Sequence, residues 1–273
     1  NNRLASKTLV TADAFGNTYY RYIDENWNST GFGRVDRQIA AVVDADGARS
    51  YAYTYFTSSA QVQFKYCYSD LAFTALAVTY EYNSSGVMIR KTLASAIYTY
   101  YVSGRLESIT LSTPDVDGNI YYHYIDEVAS RMDRSKKSVA DIDGCLSYDY
   151  GYSGTTPTRV IQKRGYSDAA WTTLKLTYTY YDNTTNRLAS KTLVTVDASG
   201  NIYYRYIDEV GSRMDRSKRL VADTDGCLSH DYAYSGTTTR ILTKRGYSDA
   251  AWTTLKLTYT YYDNTTNRLA SKT

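Results

Sequence analysis

Two histidines, three cysteines and a recurring set of acidic residues are the groups in this chain equipped for chemistry. His123 lies in "YYHYIDE", at the position that Arg21 and Arg205 hold in sister segments. His230 lies in "LSHDY", where a sister segment has Tyr148 in "LSYDY". A general base must be one particular group in one particular place. Interchange with arginine or tyrosine reads instead as a surface filler, and neither histidine has a cysteine or serine at a distinctive spacing. Carboxylate pairs recur in "IDE" as Asp24-Glu25, Asp126-Glu127 and Asp208-Glu209. A glycosidase needs two carboxyls facing each other across a bond. Adjacent residues at a strand end point to opposite faces, so the pairs read as turns or as partners of the nearby arginine.

Loops of the form Asp-x-Asp-Gly begin at Asp44, Asp115, Asp141 and Asp223, and related turns begin at Asp13 and Asp197. Calcium takes oxygen ligands from such loops. Each loop, however, supplies only two carboxylates and lacks a bidentate glutamate at a fixed distance. A hairpin turn explains the pattern fully: aspartate caps it through its side chain, and glycine takes the positive φ needed to reverse the chain. Cys67, Cys145 and Cys227 are an odd set without a disulfide framework or zinc spacing. Cys145 and Cys227 share a "DGCLS" context, while Cys67 stands where other copies have Gly165 and Gly246. They read as small buried residues of a sheet. No glycine loop of the phosphate-cradling type is present, so the expectation is no cofactor, no metal and no enzymatic activity. Glycosylation acceptors of the form Asn-x-Ser/Thr occur at Asn28, Asn83, Asn183 and Asn264. The last three share one phase, after a tyrosine-rich strand, so attached sugars would form a regular row; the alternative is that these are simply good turns.

The elements that position these residues must be strands. In "LKLTYTYY" (174–181), Leu174, Leu176, Tyr178 and Tyr180 fall on one face and Lys175, Thr177 and Thr179 on the other. "LSYDYGY" (146–152) repeats the alternation. The resulting tyrosine stripe comprises Tyr148, Tyr150, Tyr152, Tyr178, Tyr180, Tyr204, Tyr206, Tyr232, Tyr234, Tyr259 and Tyr261. Tyrosine occurs 32 times against 5 phenylalanines and 3 tryptophans. Packing alone would be served as well by phenylalanine, so the hydroxyls must meet water or a partner. Stacked strands ~4.8 Å apart would set equivalent rings in ladders. Each offset pair would add ~0.5–1.5 kcal/mol beyond burial, and tens of them would outweigh any single exposed ion pair at ~0–1 kcal/mol. Rings also stack on sugars, but recurrence in every unit favours the structural role.

The thirty residues from Lys163 to Thr192 return unchanged from Lys244 to Thr273, a shift of 81. Upstream the shift is 82, from Tyr124 to Tyr206, because "GTTPTRVIQ" is one residue longer than "GTTTRILT". Within each long repeat lie three dissimilar units of about 27 residues, such as those starting at Arg187, Arg213 and Arg240. Residues 1–110 follow the plan irregularly and residues 111–273 regularly. The expected fold is all-β: a repetitive antiparallel β-hairpin array, a coiled β-ribbon or solenoid-like body, running continuously over 1–273 without domain boundaries. The chain opens and stops in mid-pattern, which suggests a segment of a longer array. Units of this kind cannot bury a face alone and must stack.

"TYTYYDNTTNRLASKT" and "DVDGNIYYHYIDE" resemble the YD or RHS repeat family: a tyrosine pair, Asp, a short turn, Arg-Leu, then Asp-x-x-Gly and tyrosines again. The resemblance covers essentially the whole chain, with residues 56–103 fitting loosely. It implies a long antiparallel β-ribbon that coils into a shell around a toxin or into a large extracellular scaffold, secreted or surface-exposed. No counterpart of the family's Asp-containing self-cleavage motif is found, and the near-perfect recurrence suits open-ended growth.

Charge is nearly balanced, at 31 Lys and Arg against 28 Asp and Glu. There is no basic stripe, so nucleic acid is not an expected partner, and no apolar run suits a membrane helix. The expected function is a structural scaffold forming an extracellular or cell-surface fibre, tube or shell wall. Its partners would be further copies or further repeats, with glycans in addition. The alternatives are the wall of a toxin-encapsulating shell and a glycan-binding adhesin.

Overall fold

The computed structural model describes residues 4–23, 34–57, 59–126, 131–154, 159–181, 187–208, 213–236, 238–262 and 268–273. Every regular element among them is a β-strand, in agreement with the all-β expectation. The chain forms two compact units, residues 1–127 and 128–273.

The first unit contains β1 (Ser6–Thr8), β2 (Asn17–Tyr22), β3 (Val35–Ala40), β4 (Ser50–Tyr55), β5 (Val62–Tyr68), β6 (Leu76–Tyr82), β7 (Met88–Leu93), β8 (Ala96–Tyr100), β9 (Leu106–Leu111) and β10 (Asn119–Asp126). Each pairs antiparallel with the next in sequence. The second unit repeats the plan with β11 (Arg131–Lys137), β12 (Ser147–Ser153), β13 (Arg159–Tyr166), β14 (Leu174–Tyr180), β15 (Leu188–Leu193), β16 (Asn201–Asp208), β17 (Arg213–Arg219), β18 (Ser229–Tyr234), β19 (Ile241–Tyr247), β20 (Leu255–Tyr261) and β21 (Leu269–Lys272). Again each strand pairs with its successor. Such a meander needs only hairpin turns, which is what the Asp/Gly spacing supplies. In the loop before β12, Asp141 Oδ1 accepts the backbone N–H of Asp143 and of Cys145, both at 3.1 Å. Gly144 takes φ +70 in the same loop.

One feature of the strands differs from the plain alternation of the sequence. Register shifts recur near the last tyrosine of a strand: at Cys67/Tyr68, Gly165/Tyr166 and Gly246/Tyr247, and again at Glu81/Tyr82, Thr179/Tyr180 and Thr260/Tyr261. In β14 the extra residue is Lys175, since Gly165 faces Leu176 and Tyr166 faces Leu174. A bulge turns the residues beyond it off the face and strengthens the local twist. Leu174 is accordingly 38% exposed, while Leu176 is buried.

Burial is concentrated beneath the Asp-x-Asp-Gly loops. In the first unit Ala48, Tyr51, Cys67 and Val78 form a cluster backed by Tyr53, Tyr80 and Leu93. In the second, Cys145, Tyr148 and Leu176 do the same, backed by Tyr150, Tyr178 and Leu193. The loops therefore fold over the sheet and close small local cores.

Candidate functional site

The tyrosines of the stripe face lysines across the sheet. Successive partners from β12 to β16 are Tyr150, Lys163, Tyr178, Lys191 and Tyr204. In the first unit the row reads Tyr53, Lys65, Tyr80, Lys91 and Tyr98. Near the end it reads Tyr232, Lys244, Tyr259 and Lys272. Lys163 Nζ lies 3.7 Å from the Tyr148 ring centroid and 5.7 Å from that of Tyr178. Lys65 lies 4.5 Å from Tyr51, and Lys244 lies 5.1 Å from Tyr259. The expected phenol-on-phenol ladder is thus replaced, in these rows, by alternating rings and ammonium groups. The reason is chemical: a lysine stem covers a ring face with methylenes, and its ammonium meets the negative face of the π-system. Ring–ring pairs occur elsewhere, as for Tyr20 with Tyr22 at 6.4 Å. Burial holds the Lys163 and Lys244 ammonium groups below the usual lysine range.

The second aspartate of the loops at Asp44, Asp141 and Asp223 joins this row. Asp46 accepts the Tyr80 hydroxyl and the Lys91 ammonium, the latter at 2.7 Å. Asp143 accepts Tyr178 and, at 2.7 Å, Lys191. Asp225 accepts Tyr259 and Lys272. One carboxylate therefore clips its own turn to two strands far along the chain. Burial pushes the Asp143 carboxyl up, but Lys191 and Tyr178 outweigh it and hold it below its ordinary value. Burial and the bond to Asp143 in turn push Tyr178 well above a free phenol. The loop carboxylates are thus engaged by hydroxyl and ammonium groups, as a structural turn requires.

A second clip involves residues that the sequence reading passed over. Trp171 and Trp252 adopt φ +59, and Phe73 takes φ +62 in the matching place. A positive φ is strained for a bulky residue and persists only when its surroundings hold it. Trp171 Nε1 donates to the Tyr148 carbonyl at 3.0 Å, and Trp252 Nε1 donates to that of His230 at 3.0 Å. Lys136 and Lys218 each sit 4.4 Å from the facing indole. The preceding aspartates fix the turn, with Asp168 Oδ1 accepting Ala170 N–H at 2.8 Å. The signal was present in sequence as the repeated "SDAAW", but the hand of the turn was not.

His230 corrects the surface-filler reading. It is 2% exposed, on β18 beneath the loop that begins at Asp223. Its Nε2 is 3.1 Å from Asp223 Oδ2, yet the geometry makes no directed hydrogen bond. Burial, reinforced by Lys244, drives its pKa down to about 4. Asp223, Cys227 and His230 come together there, a grouping of metal-ligating types that the spacing argument missed. His123 lies on β10 opposite Ser108.

Of the remaining stripe, Tyr152 and Tyr234 donate to the carbonyls of Met132 and Met214, both at 2.5 Å. Tyr204 donates to Asp197. Tyr150 and Tyr232 meet Ser135 and Ser217 at 3.1 and 3.2 Å. Tyr180, Tyr206 and Tyr261 are partly buried. Asn83 Oδ1 accepts Ser85 and Val87 N–H, both at 3.0 Å, so this residue caps a turn. Asn28, Asn183 and Asn264 lie outside the described residues, as do Asp24, Glu25, Glu127 and Glu209; Asp126 and Asp208 close β10 and β16. Cys67, Cys145 and Cys227 are buried free thiols, as the sequence suggested. The surface clefts resemble one another in size. One of 410 Å³ adjoins Asp143, Lys191 and Tyr204, and one of 400 Å³ adjoins Asp44, Tyr51 and Lys65.

No protein-family model matches the sequence, and no curated protein matches it. Among solved structures, TcdB2-TccC3 without its hypervariable C-terminal region is 12% identical over 92% of this chain, with a TM-score of 0.29. The TcdB2-TccC3 structure gives 15%, 93% and 0.24. The Photorhabdus luminescens Tc holotoxin pore gives 13%, 89% and 0.23. The chain is similar to these over most of its own length and spans 14 to 16% of theirs.

Proposed function

We propose that this protein is a structural scaffold, a stretch of β-wall in an extracellular or cell-surface fibre, tube or shell, with no enzymatic role. The observation that carries the reading is the threefold clip: Asp46 with Tyr80 and Lys91, Asp143 with Tyr178 and Lys191, Asp225 with Tyr259 and Lys272. A catalytic constellation gains nothing from verbatim copies, whereas a wall gains one fastening per step. The partners are further copies of the chain or further repeats that continue the sheet through edge pairing. Exposed apolar loop residues such as Val116 and Ile142 supply surface for such contacts. Purified chain examined by light scattering and negative-stain imaging is expected to form laterally extended objects; a monodisperse compact monomer that never stacks would reject the reading. The wall of a toxin-encapsulating shell is the alternative that the YD-like pattern supports. It requires the parent gene to encode a self-cleavage core and a variable C-terminal domain after the repeats. Attached or bound glycans are a further part of the proposal; a glycan array that stays silent removes the adhesin form.

A further inference from the structure

We propose that Asp223, Cys227 and His230 form a binding site for a single thiophilic divalent cation of the zinc class. The three ligand atoms lie within 4.8 Å of one another, with Cys227 and His230 buried and Asp223 half-buried. All three belong to one loop and the first residues of the strand it feeds, so a single turn presents them together. Asp223 Oδ1 is occupied by the N–H groups of Asp225 at 3.0 Å and Cys227 at 2.9 Å. Its other oxygen faces His230 Nε2 at 3.1 Å.

The imidazole is what singles out this loop. In the sister loops the same position is a tyrosine, Tyr20, Tyr51, Tyr122, Tyr148 or Tyr204, whose hydroxyl donates to Oδ2 of the loop's first aspartate. His230 keeps the burial of Tyr51 and Tyr148, but its Nε2 is left without a hydrogen-bond partner. A buried ring nitrogen within 4.8 Å of both a carboxylate and a thiol is an incomplete arrangement that a cation completes. Gly246 lies opposite His230 in the register, and its missing side chain is what lets the Cys227 thiol come in beside the imidazole. A Cβ at Gly246 would meet Cys227 Sγ at 2.5 Å and His230 Cδ2 at 3.5 Å.

The donor set selects the class of ion. Thiolate and imidazole favour zinc-like cations over calcium and magnesium, which prefer oxygen cages. Zinc holds such ligands at about 2.0–2.3 Å, usually four in a tetrahedron, so the cluster must contract slightly by side-chain rotation and leaves the fourth position to water. Carboxylate and thiolate together neutralise a dication. Lys244, Arg219 and Lys256 are the opposing charges; the Lys244 ammonium is drawn over the Tyr259 ring and that of Lys256 donates to the Gly226 carbonyl at 3.3 Å. Calcium, suggested by the Asp-x-Asp-Gly spelling, finds only one of the two loop aspartates here, since Asp225 is held by Tyr259 and Lys272.

The test is a cobalt titration of the full chain after chelator treatment. It is expected to give one equivalent bound, with a thiolate-to-cobalt charge-transfer band and tetrahedral visible bands that zinc displaces and calcium does not. His230→Tyr and Cys227→Ala copy residues already present in sister loops and should each weaken binding at least tenfold. Tyr148→His should raise the stoichiometry to two. Absence of the charge-transfer band in the parent chain overturns the proposal, as does displacement by calcium or binding unchanged in His230→Tyr. Should His230→Tyr fail to fold, Tyr148→His decides alone: no second equivalent, no site.

Discussion

A sulfur atom lies beneath the Asp-x-Asp-Gly loops at Asp44, Asp141 and Asp223, but it does not always come from the same strand. In the second unit it comes from Cys145 and Cys227, packed against Gly165 and Gly246; in the first it comes from Cys67, and the loop position is Ala48. A Cβ on Gly165 would meet Cys145 Sγ at 2.6 Å, so the two positions share one volume. Overpacking such a site costs ~1–3 kcal/mol. Gly165→Ala should therefore lower stability by about that amount in urea unfolding. The double change Gly165→Cys with Cys145→Ala, which copies the arrangement of Ala48 and Cys67, should restore most of it. Additivity of the two single changes would contradict the shared volume. Burial also pushes the Cys67 thiol up to about 11. Thiol reagents should leave it untouched in the folded protein at neutral pH and label it on unfolding.

Hairpins supply neighbours, but the clips decide how one hairpin is fastened over the next. Asp143 links the turn before β12 to β14 and β15. Bonds of a partly buried carboxylate to charged and phenolic donors are each worth ~1–3 kcal/mol when one partner is removed. Asp143→Ala should destabilise the second unit by about that much, and Asp46→Ala should do the same to the first, read as separate losses in hydrogen exchange of the affected strands. The tryptophan turn offers a sharper contrast. Trp171→Phe copies Phe73, keeps an aromatic ring and loses the bond to the Tyr148 carbonyl, so ~0.5–1.5 kcal/mol is expected from that bond. Trp171→Val forces a β-branched residue to positive φ and should cost clearly more by thermal unfolding.

Strand-by-strand pairing makes each unit a chain of neighbour contacts, in which stability accumulates with number and not through one central core. The titrating fasteners set the pH range of the whole. Lys91 and then Tyr80 hold Asp46 below its ordinary value, and Asp143 is lowered as well. Their contribution is present above the unfolded carboxyl pKa of about 3.9 and is lost as pH falls through the folded value. Burial, followed by bonds to Asp115, Asp149 and Asp197, pushes Tyr122, Tyr166 and Tyr204 up to about 12. Their contribution is intact below about 10 and is lost as pH rises toward 12. Circular dichroism across pH should therefore show a broad plateau with loss of strand signal at both ends. Loss of structure already near pH 8 would contradict the role given to these tyrosines.

Strands, turns and the repeat were written in the sequence because they depend on neighbours in the chain: alternation over "LKLTYTYY", and Asp and Gly at fixed places in each loop. What lies opposite each residue depends instead on register, and the recurrent bulges near Tyr68, Tyr166 and Tyr247 shift that register by one position. Only the folded chain could therefore put lysines across from the tyrosines, and Asp143 against strands more than thirty residues away. It also buried His230 beside Cys227 and Asp223, where spacing alone had left it on the surface.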